Sequence, residues 1–249
     1  MRLLMARKVL AFKTIVADDL RLEAGTVIPA GSMFPFFTDY DSVNDEPVTG
    51  VHESEILKHL FQSSARRLIL HELGVTTDAR IYFDVRSPVV QQGEKPGDID
   101  VVICPNARAD IAIGLQCKRV KIEALSQDED RVNKLPDIRA AVKQTNLQRA
   151  NFGFHKNYLV IVIQGYGKLR TNSNVVFRGP TSETFKQVYE FPQRESLHGD
   201  AGVLFIQIIQ PTGKTYRRMY EIGVCLDKEA KPLVQTAKLT NRIKEMMQI

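Results

Sequence analysis

The centre of the chain alternates between two hydrophobic periods. From His52 to Leu73 apolar residues recur at helical spacing, and Gly74 follows at the position that glycine favours after a helix C-terminus. This pattern predicts one long amphipathic helix. Three shorter runs come next, each bounded by turn residues, and we predict them as strands: Ile81–Val85, Ile99–Cys104 and Ile111–Ile122.

The second half of the chain continues this alternation. Asp137–Ala150 has helical spacing, and Tyr158–Gln164 is the nearly continuous apolar run of a strand buried on both faces. Val203–Gln210 and Tyr220–Leu226 are predicted strands, and Thr240–Met247 is a predicted terminal helix. The central order of helix, three strands, helix and strand predicts an α/β fold with a mixed central sheet flanked by helices.

The first fifth of the chain has a different character. Residues 1–48 contain short β-like runs, such as Val9–Val16 and Thr26–Ile28, which glycine and proline interrupt. The polar stretch Asp39–Pro47 resembles a connector. We therefore predict a β-rich N-terminal extension over residues 1–48 and an α/β domain over residues 49–249.

Composition narrows the functional classes. The chain has 249 residues, of which 43% are hydrophobic and 25% charged, as in ordinary folded proteins. A net charge of +5 permits a polyanionic partner without requiring one. Three cysteines without a CxxC pair predict buried reduced thiols, and histidine spacing excludes the common zinc motifs. No apolar run is long enough to span a membrane, so we expect a cytoplasmic protein without a membrane partner.

Polar residues on two predicted strands are the candidates for chemistry. Because strand side chains alternate, Asp98 and Asp100 share one face of their strand, and Gln116 and Lys118 share one face of the next. The chain between Asp100 and Gln116 is long enough for the two strands to form a hairpin, which would bring their polar residues into one cluster. Cys117 points to the other face and is predicted to lie in the core.

This residue set suits the hydrolysis of a phosphodiester bond. The transition state gathers negative charge, which a hard cation such as Mg²⁺ or Mn²⁺ neutralises while it activates a bound water. Mg²⁺ prefers oxygen ligands, which the Asp100 carboxylate, the Gln116 amide oxygen and the Cys117 backbone carbonyl would supply. Lys118 would hold the scissile phosphate or position the attacking water.

The element order, the GDIDVV segment and the QCK segment resemble the restriction-endonuclease-like PD-(D/E)xK nuclease superfamily. Asp100 matches the family's first acidic residue, and Lys118 matches its lysine. Gln116 stands where most members carry Asp or Glu, as in the QxK variant similar to type IV restriction-type nuclease domains. The resemblance covers roughly residues 50–165. It implies an αβββαβ core. Gln116, where this sequence departs from the family, removes one negative charge from the metal site.

The resemblance also implies further residues and partners. Many members carry a glutamate on the first helix, for which Glu55 is the first choice and Glu53 the second; Asp98 is the other candidate carboxylate. Gln144 loosely matches a glutamine of the following helix. The implied function is a Mg²⁺-dependent endonuclease of defence or restriction, acting on DNA more than on RNA, and such nucleases often pair as homodimers.

Alternatives to this reading remain open. The protein could be an inactive nucleic-acid-binding module on the same scaffold, because Gln116 weakens the metal site. It could also be an interaction or structural protein without a nucleic-acid role. Asp98 and Asp100 could instead stabilise a turn, because aspartate favours turns. Glu53 and Glu55 could stabilise the first turn of a helix through the helix dipole. Lys118 could be a surface lysine of a solvated face that also includes the following cations: Arg119, Lys121 and Lys134.

Overall fold

The computed structural model describes residues 13–16, 53–63, 65–126, 129–167, 169–170, 173–174, 180–190, 196–210 and 221–248. The described strands are β1 (Lys13–Val16), β2 (Arg80–Val85), β3 (Ile99–Cys104), β4 (Ile113–Ala124), β5 (Asp130–Asn133), β6 (Lys156–Gly167), β7 (Leu169–Arg170), β8 (Ser173–Asn174), β9 (Gly202–Gln210) and β10 (Glu221–Lys228). The described α-helices are α1 (Glu53–Gln62), α2 (Ala65–Glu72), α3 (Leu135–Asn151), α4 (Ser182–Val188) and α5 (Ala237–Met247).

Most of these strands form one mixed sheet. Its order is β1-β10-β9-β6-β4-β3-β2, with β5 paired to the far part of β4. β4, β6 and β9 run parallel to one another, whereas β2, β3 and β4 form successive antiparallel pairs. The predicted α/β class, with a mixed central sheet flanked by helices, is confirmed.

The two faces of the sheet are covered by different helices. Helices α1 and α2 cover one face, where they pack against Leu115 and Cys117 of β4, and we call this the α1 face. Helix α3 covers the opposite face, where it packs against Val120 and Ile122, and we call this the α3 face. A third apolar cluster joins α5 to residues of β3 such as Val102. The three cysteines are buried free thiols, as predicted.

The prediction of one long helix from His52 to Leu73 is wrong, because two helices occupy this segment. Helix α1 ends at Gln62 and α2 begins at Ala65. The buried Ser63 hydroxyl donates to the Leu60 carbonyl at 3.0 Å and accepts from the Ala65 N–H at 3.3 Å. Such side-chain bonds offer the backbone an alternative to the helical ladder, which apolar spacing does not register.

The N-terminal segment contributes an edge strand. β1 pairs antiparallel with β10, so this part of the predicted extension adds to the sheet of the main domain. The predicted β-like run Thr26–Ile28 and the connector Asp39–Pro47 lie outside the described residues. Within the ranges given above, no helix combines the length and apolar character needed to cross a bilayer.

Candidate active site

Asp100 lies where β3 and β4 separate. The paired register of these strands runs from Ile103–Ile113 to Val101–Leu115. One residue further, the Asp100 side chain takes the place of backbone pairing. Its Oδ2 accepts from the Cys117 N–H at 2.6 Å and from the Gln116 side-chain amide at 2.5 Å. The predicted meeting of Asp100 and Gln116 therefore occurs, at the point where the ladder opens.

The Gln116 amide is buried at this opening. The residue is only 4% exposed, and its Oε1 has no hydrogen-bond partner among the described residues. Its nitrogen faces Asp100. Oxygen and nitrogen of a glutamine amide exchange places when the group turns over, so the same position can present either atom to Asp100.

Lys118 shares the α3 face of β4 with Gln116, as alternation predicts. Its Nζ lies 3.9 Å from Oδ2 of Asp137, in the first turn of α3, and its side chain is 26% exposed. Sequence reasoning placed Asp137 only at a helix start and missed this contact. The ammonium group therefore stands at the surface beside the Gln116 position, accompanied by a carboxylate at the outer limit of an ion pair.

A backbone irregularity in β2 lies directly opposite Asp100. Phe83 pairs with Val101 and Val85 pairs with Ile99, which leaves Asp84 across from Asp100. Asp84 has a φ of 49°, a left-handed value that non-glycine residues seldom adopt in a strand. Such outliers concentrate at functional sites.

The Asp84 carboxylate connects this region to α1. It forms an ion pair with Lys58 at 2.8 Å. Residue Glu55 lies one helical turn before Lys58 in α1, so this part of the helix borders β2 beside Asp100. The side chains of Glu53 and Glu55 lie outside the described residues, and their predicted role stays a prediction.

Asp98 has a cation beside it. Its Oδ2 lies 3.7 Å from the Arg86 guanidinium, and both side chains are well exposed. Arg86 is therefore a described partner of Asp98. The role of Asp98 as an additional metal ligand also stays a prediction.

The alternative interpretation of a solvated face around Lys118 is wrong for two of the residues assigned to it. Arg119 and Lys121 are 7% and 8% exposed. Arg119 and Lys121 alternate with Lys118 along β4 and so project toward the α1 face. Burial, with the neighbouring Arg119 and Lys134, lowers the pKa of Lys121 to about 8. Apolar alternation could not reveal this, because charged residues are normally read as exposed.

Gln148 is a site neighbour that sequence reasoning missed. The predicted position, Gln144, is partly exposed on α3, whereas Gln148 one turn later is fully buried. Its amide packs on Gly114, where an added Cβ would lie 2.2 Å from Nε2. A glycine within a strand, two residues before Gln116, was the available signal for such a close approach.

The side chains at the opening include oxygen atoms, the ligand type that a hard cation prefers. Among the residues that the structure describes, no group of three or more His, Cys, Asp or Glu side chains is arranged for a metal. The candidate set consists instead of the Asp100 carboxylate, the Gln116 amide oxygen and the Cys117 carbonyl. The N–H of Cys117 points to Asp100, and its carbonyl leaves the same edge of β4, since both backbone groups of a strand residue face one neighbour.

Comparison with models of protein families finds no match for this chain, and comparison with curated proteins finds none either.

Proposed function

We propose that the protein is a divalent-metal-dependent nuclease that hydrolyses phosphodiester bonds in DNA. One observation carries this proposal: the Asp100 carboxylate meets both the Gln116 amide and the Cys117 backbone where two strands separate. The order α1/α2, β2, β3, β4, α3 and β6, with the short strand β5 between β4 and α3, supports it, because it resembles the αβββαβ core of the PD-(D/E)xK superfamily.

The residues divide the chemistry between them. Asp100, Gln116 and the Cys117 carbonyl would hold Mg²⁺ or Mn²⁺, with Glu55 as a further candidate. The cation would neutralise phosphate charge and lower the pKa of a bound water. Lys118, on the same face as Gln116, would hold a phosphate oxygen. Asp137 lies close enough to Lys118 to orient its ammonium group.

The first test compares variants on supercoiled plasmid, single-stranded DNA and RNA with Mg²⁺ or Mn²⁺. We expect Asp100→Asn and Lys118→Ala to reduce DNA cleavage by at least about a hundredfold, since each removes a charge from the reacting centre. Asp110→Asn is the matched control, because this exposed aspartate pairs with Arg108 and has no role in the proposed site. Equal cleavage by wild type and both variants would overturn the proposal.

A second variant tests the metal site without relying on turnover. Gln116→Glu restores the carboxylate that most members of the resembled family carry, and the added negative charge attracts a divalent cation. We expect calorimetric titration to show tighter Mg²⁺ binding than in wild type. Unchanged affinity would mean that residue 116 is not a ligand.

An inactive nucleic-acid-binding module is the second candidate. The observation in its favour is that Gln116 is neutral and turns its nitrogen toward Asp100. This candidate predicts salt-sensitive DNA binding, since phosphate contacts release counterions, with no cleavage in either metal.

A further inference from the structure

Three buried amide side chains surround Gly114 on the α3 face of the sheet. The Gln148 side chain of α3 packs against Gly114. Asn157 is the register partner of Gly114 on the parallel strand β6, and parallel partners point to the same face. Gln116 is the next residue along β4 on that face. Because Gly114 has no side chain, polar side chains of α3, β4 and β6 can lie beside it.

These amides share an unusual property. Both polar side-chain atoms of Gln148, both of Asn157 and Oε1 of Gln116 are buried and have no hydrogen-bond partner among the described residues. Gln148 is 0% exposed, Asn157 1% and Gln116 4%. A buried polar group without a partner costs roughly 1–3 kcal/mol, and native proteins rarely leave several together. The concentration of such groups around one glycine points to a ligand.

The chemistry of the three side chains defines that ligand. All three are neutral, and each carries both a donor and an acceptor. An ion placed among them would lack a compensating charge at this depth. The ring of Phe154, which lies 2.8 Å from the position of an added Gly114 Cβ, closes one side with an apolar wall. A small neutral molecule that both donates and accepts meets these conditions, and water is that molecule.

We infer that Gln148, Asn157 and Gln116 form a binding site for ordered water, and that this water allows the Gln116 amide to turn over when a cation binds beside Asp100. The first half of the inference stands on the amides alone. The second half rests on the proposed function.

The Gln116 amide can turn over because water both accepts and donates hydrogen bonds. In the arrangement observed, Gln116 Nε2 donates to Asp100, which leaves Oε1 to accept from water. When Oε1 faces a cation, Nε2 points away and donates to the same water. Because water serves as donor or acceptor, both orientations of the amide stay satisfied. Gln148 and Asn157 would therefore be positioning residues that act through Gln116.

The water site is tested first in cation-free protein. Oxygen-17 magnetic relaxation dispersion counts long-lived internal waters, and we expect fewer of them in the Gln148→Met/Asn157→Leu double variant than in wild type. Replacing buried polar groups by apolar ones of similar shape is often tolerated, so the variant should fold. Gln144→Met, on the more exposed side of α3, is the matched control.

A high-resolution crystal structure of the wild type gives an answer that does not depend on the variants. Water bonded to Gln148 and Asn157 would support the inference. A direct hydrogen bond between these two amides, without water, would overturn it, as would identical dispersion in wild type and double variant.

The coupling to the cation is tested by Mg²⁺ titration of the same proteins. We expect the double variant to bind Mg²⁺ about tenfold more weakly, as is typical when groups behind a metal ligand are removed. Equal affinity in the two proteins would overturn the coupling. Absence of Mg²⁺ binding in wild type would overturn the proposed metal site and the coupling, whereas the water count would still decide the first half.

Discussion

Asp100 joins β3 to β4 through its side chain, where a regular ladder would use the backbone. One carboxylate oxygen receives the N–H of Cys117 and the amide of Gln116, so two successive residues of β4 are fixed by a single group. Hydrogen bonds to a charged acceptor are stronger than neutral ones and hold geometry more tightly. The opening between the strands is consequently a defined structural feature with oxygen donors on both of its sides.

Lys121 gives a prediction about pH at the same scale. Its pKa falls from 10.5 to about 8 because burial, and then Arg119 and Lys134, disfavour the charged form. Between these values the unfolded chain binds a proton that the folded chain lacks, so stability rises as pH increases through this range. We expect Lys121→Met to raise the free energy of unfolding by roughly 1–3 kcal/mol at pH 7, and to lose this gain near pH 10.5. Urea unfolding at both pH values measures it.

Lys143→Met is the control for this experiment, since Lys143 is an exposed lysine of α3 that does not contribute to the lowered pKa of Lys121, and its replacement should change stability by less than about 0.5 kcal/mol. Destabilisation by Lys121→Met of equal size at both pH values would contradict the prediction and would assign the role of Lys121 to the packing of its aliphatic chain.

At the scale of elements, strands with a strong apolar pattern were predictable. β3 has the predicted bounds, and β4 begins and ends two residues later than predicted. The short strand β5 and helix α4 were missed because their stability comes from elsewhere. Asp130 of β5 accepts hydrogen bonds from Thr181, the residue that caps α4, although the two residues are 51 positions apart in the sequence. Local spacing does not contain such information.

The candidate site was likewise predictable only where local sequence patterns determine which residues meet. Antiparallel pairing predicted that Asp100 meets Gln116, and this contact is observed. Alternation predicted only that Lys118 shares the face of Gln116. Gln148 and Asp137 were not foreseen as site neighbours, since their positions depend on how α3 crosses the sheet.

Gly114 provides the prediction at this scale, because it sets how closely α3 approaches β4. An added Cβ would lie 2.2 Å from Gln148 Nε2 and 2.8 Å from Phe154 Cδ2. We expect Gly114→Ala to lower the free energy of unfolding by about 1–3 kcal/mol through overpacking. Urea unfolding measures the effect. Gly97→Ala is the matched control, since nothing lies within 4 Å of its added Cβ. A Gly114→Ala protein as stable as wild type would mean that α3 can shift away from the strand.

At the scale of the whole molecule, the last helix holds the segment that leads into the candidate site. Arg242 of α5 is buried and donates to both Glu94 carboxylate oxygens and to the Val89 carbonyl. Leu239 and Ile243 pack in the same cluster as Val89. The chain between β2 and β3, which ends two residues before Asp100, is therefore anchored by residues more than a hundred positions away.

Removal of this anchor should weaken the fold in a manner that depends on pH. Arg242→Met leaves Glu94 and the Val89 carbonyl without their partner, and we expect a loss of about 2–3 kcal/mol at pH 7. Arg242 holds the pKa of Glu94 below its usual value of 4.5, with help from the Gln91 backbone. A lowered carboxyl pKa contributes stability above the unfolded pKa and loses it as pH falls through the folded one. The difference between wild type and variant should therefore shrink below about pH 4, and urea unfolding at pH 7 and pH 3 tests this.

Glu94→Gln should reproduce the loss of pH dependence, because it removes the titrating group while leaving Arg242 in place. A difference of equal size at both pH values would assign the role of Arg242 to packing and to its bond with Val89.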